Sequence, residues 1–479
     1  MGSYQALAFD FGASTGRAVL GTLADGKLTR REVYRFDNTP VERDGTLYWD
    51  IDALLAGVRE GMARAETFDS LAFDTWGVDF GLLDAEGRLL APPVHYRDRR
   101  TAGLIPRVTD KVGTNRLYQL TGNQIMEINT LFQLVALQAQ PALLRRAKTL
   151  LFMPDLLAYL ISGAAVCEQS IASTSQLLDP AGKDWCHALL DELSLPADIL
   201  PPVIPSGSIT ATLPGGAKVI AVAGHDTQSA VAAAPLQSDR AAFLSCGTWS
   251  LLGTELDRPV LTAESAALGL SNELGANGKV NYLKNIVGLW LLQESRRQWQ
   301  REGKDYSFAA LEQLATYAPP FRCFIDPDDA LFTPPGDMPG RVRVYCRETG
   351  QYVPQTVGEV VRCIYESLAL KYRLALGQLE AVTGKRFDTL HIIGGGAQAA
   401  LLCRMTASSC AIPVHAGPVE ATALGNLLVQ FVALGALPDI AAGRGLIAAC
   451  EPVQLYQPEQ PTAWQQAYTT FVHHLQKRS

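Results

Sequence analysis

The chain has 479 residues, more than one core usually serves; at about 150 residues per domain it should hold two or three domains. Hydrophobic residues make up 48% and charged residues 19%, a balance that excludes broad disorder. With 41 Lys and Arg against 48 Asp and Glu the net charge is -7, and no dense basic run occurs. That argues against a nucleic-acid or anionic-membrane partner, while a backbone nest can still hold a small anion.

The first apolar run is interrupted by Asp10 and follows no cationic stretch, so no signal peptide is expected. Residues 7–20 predict a strand, a Gly-rich turn and a returning strand, with Gly12 and Gly16 between apolar flanks. Leu54, Leu55, Val58 and Met62 form one stripe and predict a helix near Asp52. Residues 71–90 predict a further strand pair, turning at Asp84-Ala85-Glu86-Gly87. Lys218 to Ala223 reads as a buried strand, followed by a helix from Asp226 through Ala234. Pro235 and the polar Gln237-Ser238-Asp239 then mark a boundary, giving expected domains of 1–235 and 236–479.

The segment beyond that boundary repeats the opening of the chain. Gly247 and Thr248 stand where Gly12 and Ser14-Thr15 stand, and Leu251-Leu252-Gly253-Thr254 corresponds to Val19-Leu20-Gly21-Thr22. An internal duplication is the expectation. Thr389 to Ile393 predicts a strand running into the glycines at 394–396, with a helix from about Ala399. Ala421 to Leu437 is apolar, but Asn426 and Gln430 interrupt it, so it reads as a buried helix and not a membrane span. The nine cysteines contain no Cys-x-x-Cys pair, so a structural zinc site is not expected and reduced thiols in the cytoplasm are.

The turn Gly12-Ala13-Ser14-Thr15-Gly16 can present N–H groups and hydroxyls to an oxyanion. Arg17 adds a fixed positive charge, and Asp10 suits a hydrated Mg²⁺. The same letters fit the Gly-x-Ser-x-Gly elbow of serine hydrolases, which requires a helix after the serine; Ala18 to Thr22 predicts a strand there. The second hairpin, Ser245 to Ser250, suits the same phosphate chain. The glycines at 394–396 either let backbone lie against a nucleobase or ribose or form a plain strand-to-helix turn. In His225-Asp226-Thr227, Asp226 is a candidate general base or a helix cap. Trp76-Gly77 and Asp79 follow a buried strand where side chains can emerge into a cleft, although Trp76 also fits plain core packing.

Taken together, DFGASTGR at 10–17, DTWGVDF at 74–80, YRDRRT at 96–101, GHDTQSAV at 224–231, SCGTWSLLG at 245–253, LKNIVGLWLLQ at 283–293, HIIGGGAQ at 391–398 and AGPVEATALGN at 416–426 span nearly the whole chain. In that order they resemble the FGGY-type carbohydrate kinases of the actin-like ATPase superfamily. The resemblance implies an α/β chain of two RNase-H-like domains with a cleft between them, using ATP with Mg²⁺ to phosphorylate a ketose at its C1 hydroxyl. L-Rhamnulose is the acceptor it implies first, and L-fuculose or another ketose second. By matching position, Asp226 would be the base, and Gly77, His225, Thr227 and Asn285 would line the sugar site. Ala13, Ser14, Thr15, Gly16, Arg17, Thr248, Gln293 and Gly395 would contact ATP, and Asp10 would face the metal. Sugar binding would close the two halves and exclude water. Cys346 and Cys363 match positions that form a disulfide in some relatives, and a reducing cytosol favours free thiols. A non-metabolic actin-like ATPase is the reading from another class, and such proteins lack a sugar-site counterpart to Gly-His-Asp-Thr. The sequence sets no oligomeric state.

Overall fold

The opening hairpin forms where the apolar pattern places it. Tyr4–Phe11 pairs antiparallel with Thr15–Ala24, from Tyr4 opposite Leu23 to Phe11 opposite Gly16. A strand, not a helix, follows Ser14, which removes the hydrolase elbow. The structure is a computed structural model and describes residues 2–12 and 14–478. Its chain divides into two units: one holds Met1–Pro235, Glu255–Tyr282 and Ala421–Glu451, the other Leu236–Thr254, Leu283–Glu420 and Pro452–Ser479.

In the first unit a six-stranded sheet runs in the order Ser208–Thr212, Lys218–Ala221, Ser70–Asp74, Tyr4–Phe11, Thr15–Ala24, Lys27–Asp37. Tyr4–Phe11 is parallel to Ser70–Asp74, and this register sets Asp10 beside Asp74 at the strand ends. The helix Ile51–Ala65 starts at Asp50, whose side chain accepts from the Ala53 N–H, and turns Leu54, Leu55 and Val58 onto the sheet. Phe9, Phe73, Leu7 and Leu71 fill the core beneath it, with the Phe9 and Phe73 rings stacked at 5.1 Å. The apolar run at the C-terminal side forms the buried helix Ala421–Ala433. Its two buried amide residues satisfy the sheet: Gln430 donates to the Leu7 carbonyl and accepts from Ser70, and Asn426 donates to Asp74. Among the described residues no helix is long and apolar enough to cross a membrane.

The expected strand pair over 71–90 is corrected in one respect. The turn at Asp84–Gly87 is present, closed by the Gly87 N–H on the Asp84 carbonyl. Across it Leu83 bridges Leu89 antiparallel and the Leu90 N–H donates to the Leu82 carbonyl, but Ser70–Asp74 and Phe80–Leu83 lie in different sheets, the latter paired with Thr149–Phe152. The chain swings between them at Val78, a β-branched residue held at φ +68. Thr174 accepts from the Val78 N–H and Thr130 donates to its carbonyl, so the conformation is fixed from both sides.

The second unit repeats the plan of the first sheet. Ala241–Cys246 pairs antiparallel with Trp249–Leu256 and parallel with Thr389–Ile393, beyond which lie Val414–Ala416 and Gln454–Tyr456. The 27-residue helix Val357–Thr383 begins with a capping box between Thr356 and Glu359. The helix expected near Ala399 runs Ala400–Cys410 and is preceded by a short 3₁₀ turn, Gly395–Gln398.

Candidate active site

Asp226 is the first residue of the helix Asp226–Ala233 and the N-cap position is His225, so Asp226 is not the N-cap, although its side chain takes up the first-turn N–H of Thr227. The loop before it is built from backbone bonds. Thr75 donates to the Gly224 carbonyl, and the Asp226 N–H donates to the Thr75 carbonyl, both at 2.8 Å. Glu168, fully buried, accepts from the Gly224 N–H at 3.0 Å and from the Ser170 and Ile171 N–H groups; Ser170 Oγ in turn accepts from the His225 N–H. The loop that presents Asp226 is therefore anchored on a carboxylate more than fifty residues away.

The Asp226 side chain keeps 33% of its surface open. Its Oδ1 accepts from the Thr227 N–H at 2.6 Å and lies 3.4 Å from His225 Nε2. The other ring nitrogen, Nδ1, is 2.8 Å from Glu273 Oε2, which also accepts from Gln228 Nε2 at 2.6 Å. His225 is thus held between two carboxylates. Burial opposes its protonation, but Glu273 and then Asp226 outweigh burial and raise its pKa. For Asp226, removal from water is the main cause of a pKa pushed up to about 6; Asp10 and Glu273 raise it further, while His225 and the Thr227 N–H act the other way.

Asp10 completes an acidic group in this unit. Its Oδ2 accepts from Arg17 Nη2 at 2.6 Å and Nε at 3.0 Å, a cross-strand pair set by the hairpin register. Asp74 is fully buried. Asn426 donates to its Oδ2 at 2.6 Å, and its Oδ1 has no hydrogen-bond partner. Burial first, then the Asp10 carboxylate, holds the Asp74 carboxyl well above the usual range. A buried, orphaned carboxylate oxygen beside a second carboxylate is a hard-oxygen donor set of the kind that suits Mg²⁺.

The other sequence-predicted residues fall in two groups. In the first unit the Gly12 N–H closes the phosphate turn on the Thr15 carbonyl, and Asn38 braces it by bonds to the Gly12 and Ser14 carbonyls. Ser14 is exposed and Thr15 and Arg17 half-buried; Gly16 lies in the strand, where a Cβ would strike the Phe36 ring. Ala13 lies outside the described residues. Gly77 sits in the turn fixed at Val78, where a Cβ would come within 3.1 Å of Thr174 Oγ1. Asp79 behind it accepts from the indoles of Trp49 and Trp76, from the Tyr96 N–H and from Gln133. Trp76 is buried at 6% exposure and stacked on Trp49, so core packing accounts for it.

In the second unit Thr248 Oγ1 donates to Gln293 Oε1 at 3.2 Å, and the Gly288 and Leu289 N–H groups donate to the Thr248 and Gly247 carbonyls. The three glycines are not equivalent. Gly394 takes φ +83, and a Cβ on Gly396 would strike Cys246, whereas a Cβ on exposed Gly395 would meet nothing within 4 Å. Gly395 therefore borders open space at the end of two adjacent parallel strands. Asn285 belongs to the strand Val280–Val287 in this unit, apart in the chain's division from Gly77, His225 and Thr227.

Sequence reasoning missed the roles of Glu273, Glu168 and Asp74. Asp74 lay inside the quoted motif at 74–80, but nothing local distinguished Glu273, one of five consecutive buried residues in the strand Leu270–Leu274.

Residues 5–234 match the FGGY family of carbohydrate kinases, N-terminal domain, and residues 242–434 its C-terminal domain; the chain belongs to this family. It is a two-domain carbohydrate kinase, a phosphotransferase that uses ATP and an alcohol acceptor. It is 43% identical to the rhamnulokinase of Bacteroides thetaiotaomicron, over 97% of this chain and 98% of that one. It is 44% identical to the rhamnulokinase of Pectobacterium atrosepticum, over 94% and 92%. Its fold is similar to that of the ligand-bound xylulose kinase from Lactobacillus acidophilus, with a TM-score of 0.81 at 14% identity over 98% and 97% of the two chains.

Proposed function

We propose that this protein transfers the γ-phosphoryl group of ATP to the C1 hydroxyl of L-rhamnulose, giving L-rhamnulose 1-phosphate in rhamnose catabolism, as a cytoplasmic enzyme. The observation that carries the reading is Asp226: a carboxylate part open to solvent, at the start of a helix, poised near pH 6 within a buried acidic group. The choice of sugar rests on the similarity to rhamnulokinases over almost the full length.

In this reading Asp226 Oδ takes the proton of the acceptor hydroxyl as the oxygen meets phosphorus. Phosphoryl transfer has a loose transition state, so positioning and charge dominate, and the base contributes ~10²–10⁴-fold. His225, hydrogen-bonded to Glu273, orients its Nε2 beside Asp226, and with Gly77, Thr227 and Asn285 fixes the sugar. The Ser14 to Arg17 segment, with Thr248, Gln293 and Gly395, contacts the nucleotide. Asp10 and the free Oδ1 of Asp74 would hold Mg²⁺, which supplies charge neutralisation at the phosphates.

The test is a panel of ketoses with ADP release as the readout. L-Rhamnulose should give the highest kcat/KM; a higher value with L-fuculose or D-xylulose would overturn the sugar assignment. ATP turnover that no ketose accelerates would overturn the reaction.

A further inference from the structure

Away from the kinase residues, the second unit gathers three thiols from three elements. Cys346 lies on the helix Met338–Glu348, Cys363 on the helix Val357–Thr383, and Cys323 on the loop after the helix Phe308–Tyr317. All are buried, at 0 to 4% exposure, and their Sγ atoms all lie within 4.8 Å of one another. None is in a disulfide.

The arrangement is fixed by bonds on both sides of Cys323. The Phe321 N–H donates to Glu366 at 2.9 Å and the Ile325 N–H to Ser367 at 3.0 Å, both on the helix that carries Cys363. Gln351, just past the helix that carries Cys346, accepts from the Phe324 N–H and donates to its carbonyl. A buried cysteine by itself behaves as a small hydrophobe. Three that converge from separate, braced elements also satisfy the geometry of a metal. Sulfurs about 2.3 Å from a common centre stand about 4 Å apart in a trigonal plane, inside the observed limit.

The donor set selects the cation. The cluster is all sulfur, and among the described residues no fourth His, Cys, Asp or Glu atom joins it. Structural zinc takes four ligands, whereas soft thiolates in a three-fold set suit copper(I). We propose that Cys323, Cys346 and Cys363 form a three-thiolate site for copper(I). As each Cu–S bond forms, an S–H bond breaks and its proton leaves to solvent; copper stays in the +1 state and no electron moves. The proposal uses none of the residues assigned to phosphoryl transfer and does not depend on that reading.

Full-length reduced protein should be titrated anaerobically against copper(I) held by bicinchoninate, following the chelator's absorbance. The wild type should withdraw one equivalent. Cys323→Ser and Cys346→Ser should each bind at least tenfold more weakly, while Cys450→Ser, which removes an exposed thiol, should match the wild type. Cys323→Ser sits on a loop, and retained kinase turnover in that variant certifies its fold. X-ray absorption of the loaded protein should show three sulfurs around copper. No uptake, equal uptake by wild type and Cys323→Ser, or two-sulfur coordination would overturn the proposal.

Discussion

The two hairpins of this kinase share one scaffold and differ in chemistry. In each, a strand pairs antiparallel with its successor and parallel with a strand from much later in the chain. The last parallel pair is Asp10 beside Asp74 in the first unit, but Ser245 beside Ile393 in the second. The first hairpin ends in ionisable groups, Asp10 and Arg17, with Asp74 at the end of the adjacent parallel strand. The second ends in neutral ones, with Ser250 Oγ bonded to Tyr372 at 2.7 Å, and Gly395, past the neighbouring strand Thr389–Ile393, borders open space. In the proposed reading the same backbone plan would serve acid, base and metal chemistry in one unit and neutral nucleotide contacts in the other, as a duplicated element whose halves diverged at the strand ends.

This contrast can be broken by substitution. The largest effect is expected at Asp226: Asp226→Asn should lower kcat by ~10²-fold or more with little change in ATP affinity measured by calorimetry. Next comes Glu273. Glu273→Leu frees the His225 ring and should lower kcat/KM for the sugar by ~10-fold, leaving the ATP KM unchanged. Glu273→Gln should recover most of that loss, because an amide oxygen can still accept from both His225 and Gln228. A smaller effect sharpens the neutral side. Gly395→Val should weaken ATP several-fold without loss of stability, whereas Gly396→Ala, pressed on Cys246, should cost about 1–3 kcal/mol in denaturant unfolding. Equal destabilisation by both would remove the distinction between the adjacent glycines.

Much of the scaffold was legible because it is written locally. Both hairpins, the helix stripe of Leu54, Leu55 and Val58 and the strand before the glycines follow from periodicity and turn residues. So was Asp226, because a Gly-His-Asp-Thr step from strand to helix is contiguous in sequence. What the sequence hid is what the fold brings from afar. Glu273 reaches His225 across 48 residues, Glu168 reaches Gly224 across 56, and Asn426 reaches Asp74 across 352. No period or spacing encodes such pairs. Over 71–90 the turn and the pairing around it were legible, but the break at Val78 was not, because a valine in a left-handed conformation is locally disfavoured and is held there by Thr130, Thr174 and Gln133 from elsewhere in the chain.

The central claim is that the Asp226 carboxylate accepts the sugar's proton, and the pH dependence of kcat/KM for L-rhamnulose tests it most directly. A raised carboxyl is an active base above its pKa and is protonated below it, so activity should be full above pH 7 and fall as pH drops through about 6. The residual activity of Asp226→Asn should lack that limb. The same limb persisting in Asp226→Asn would assign the titration to another group and contradict the account.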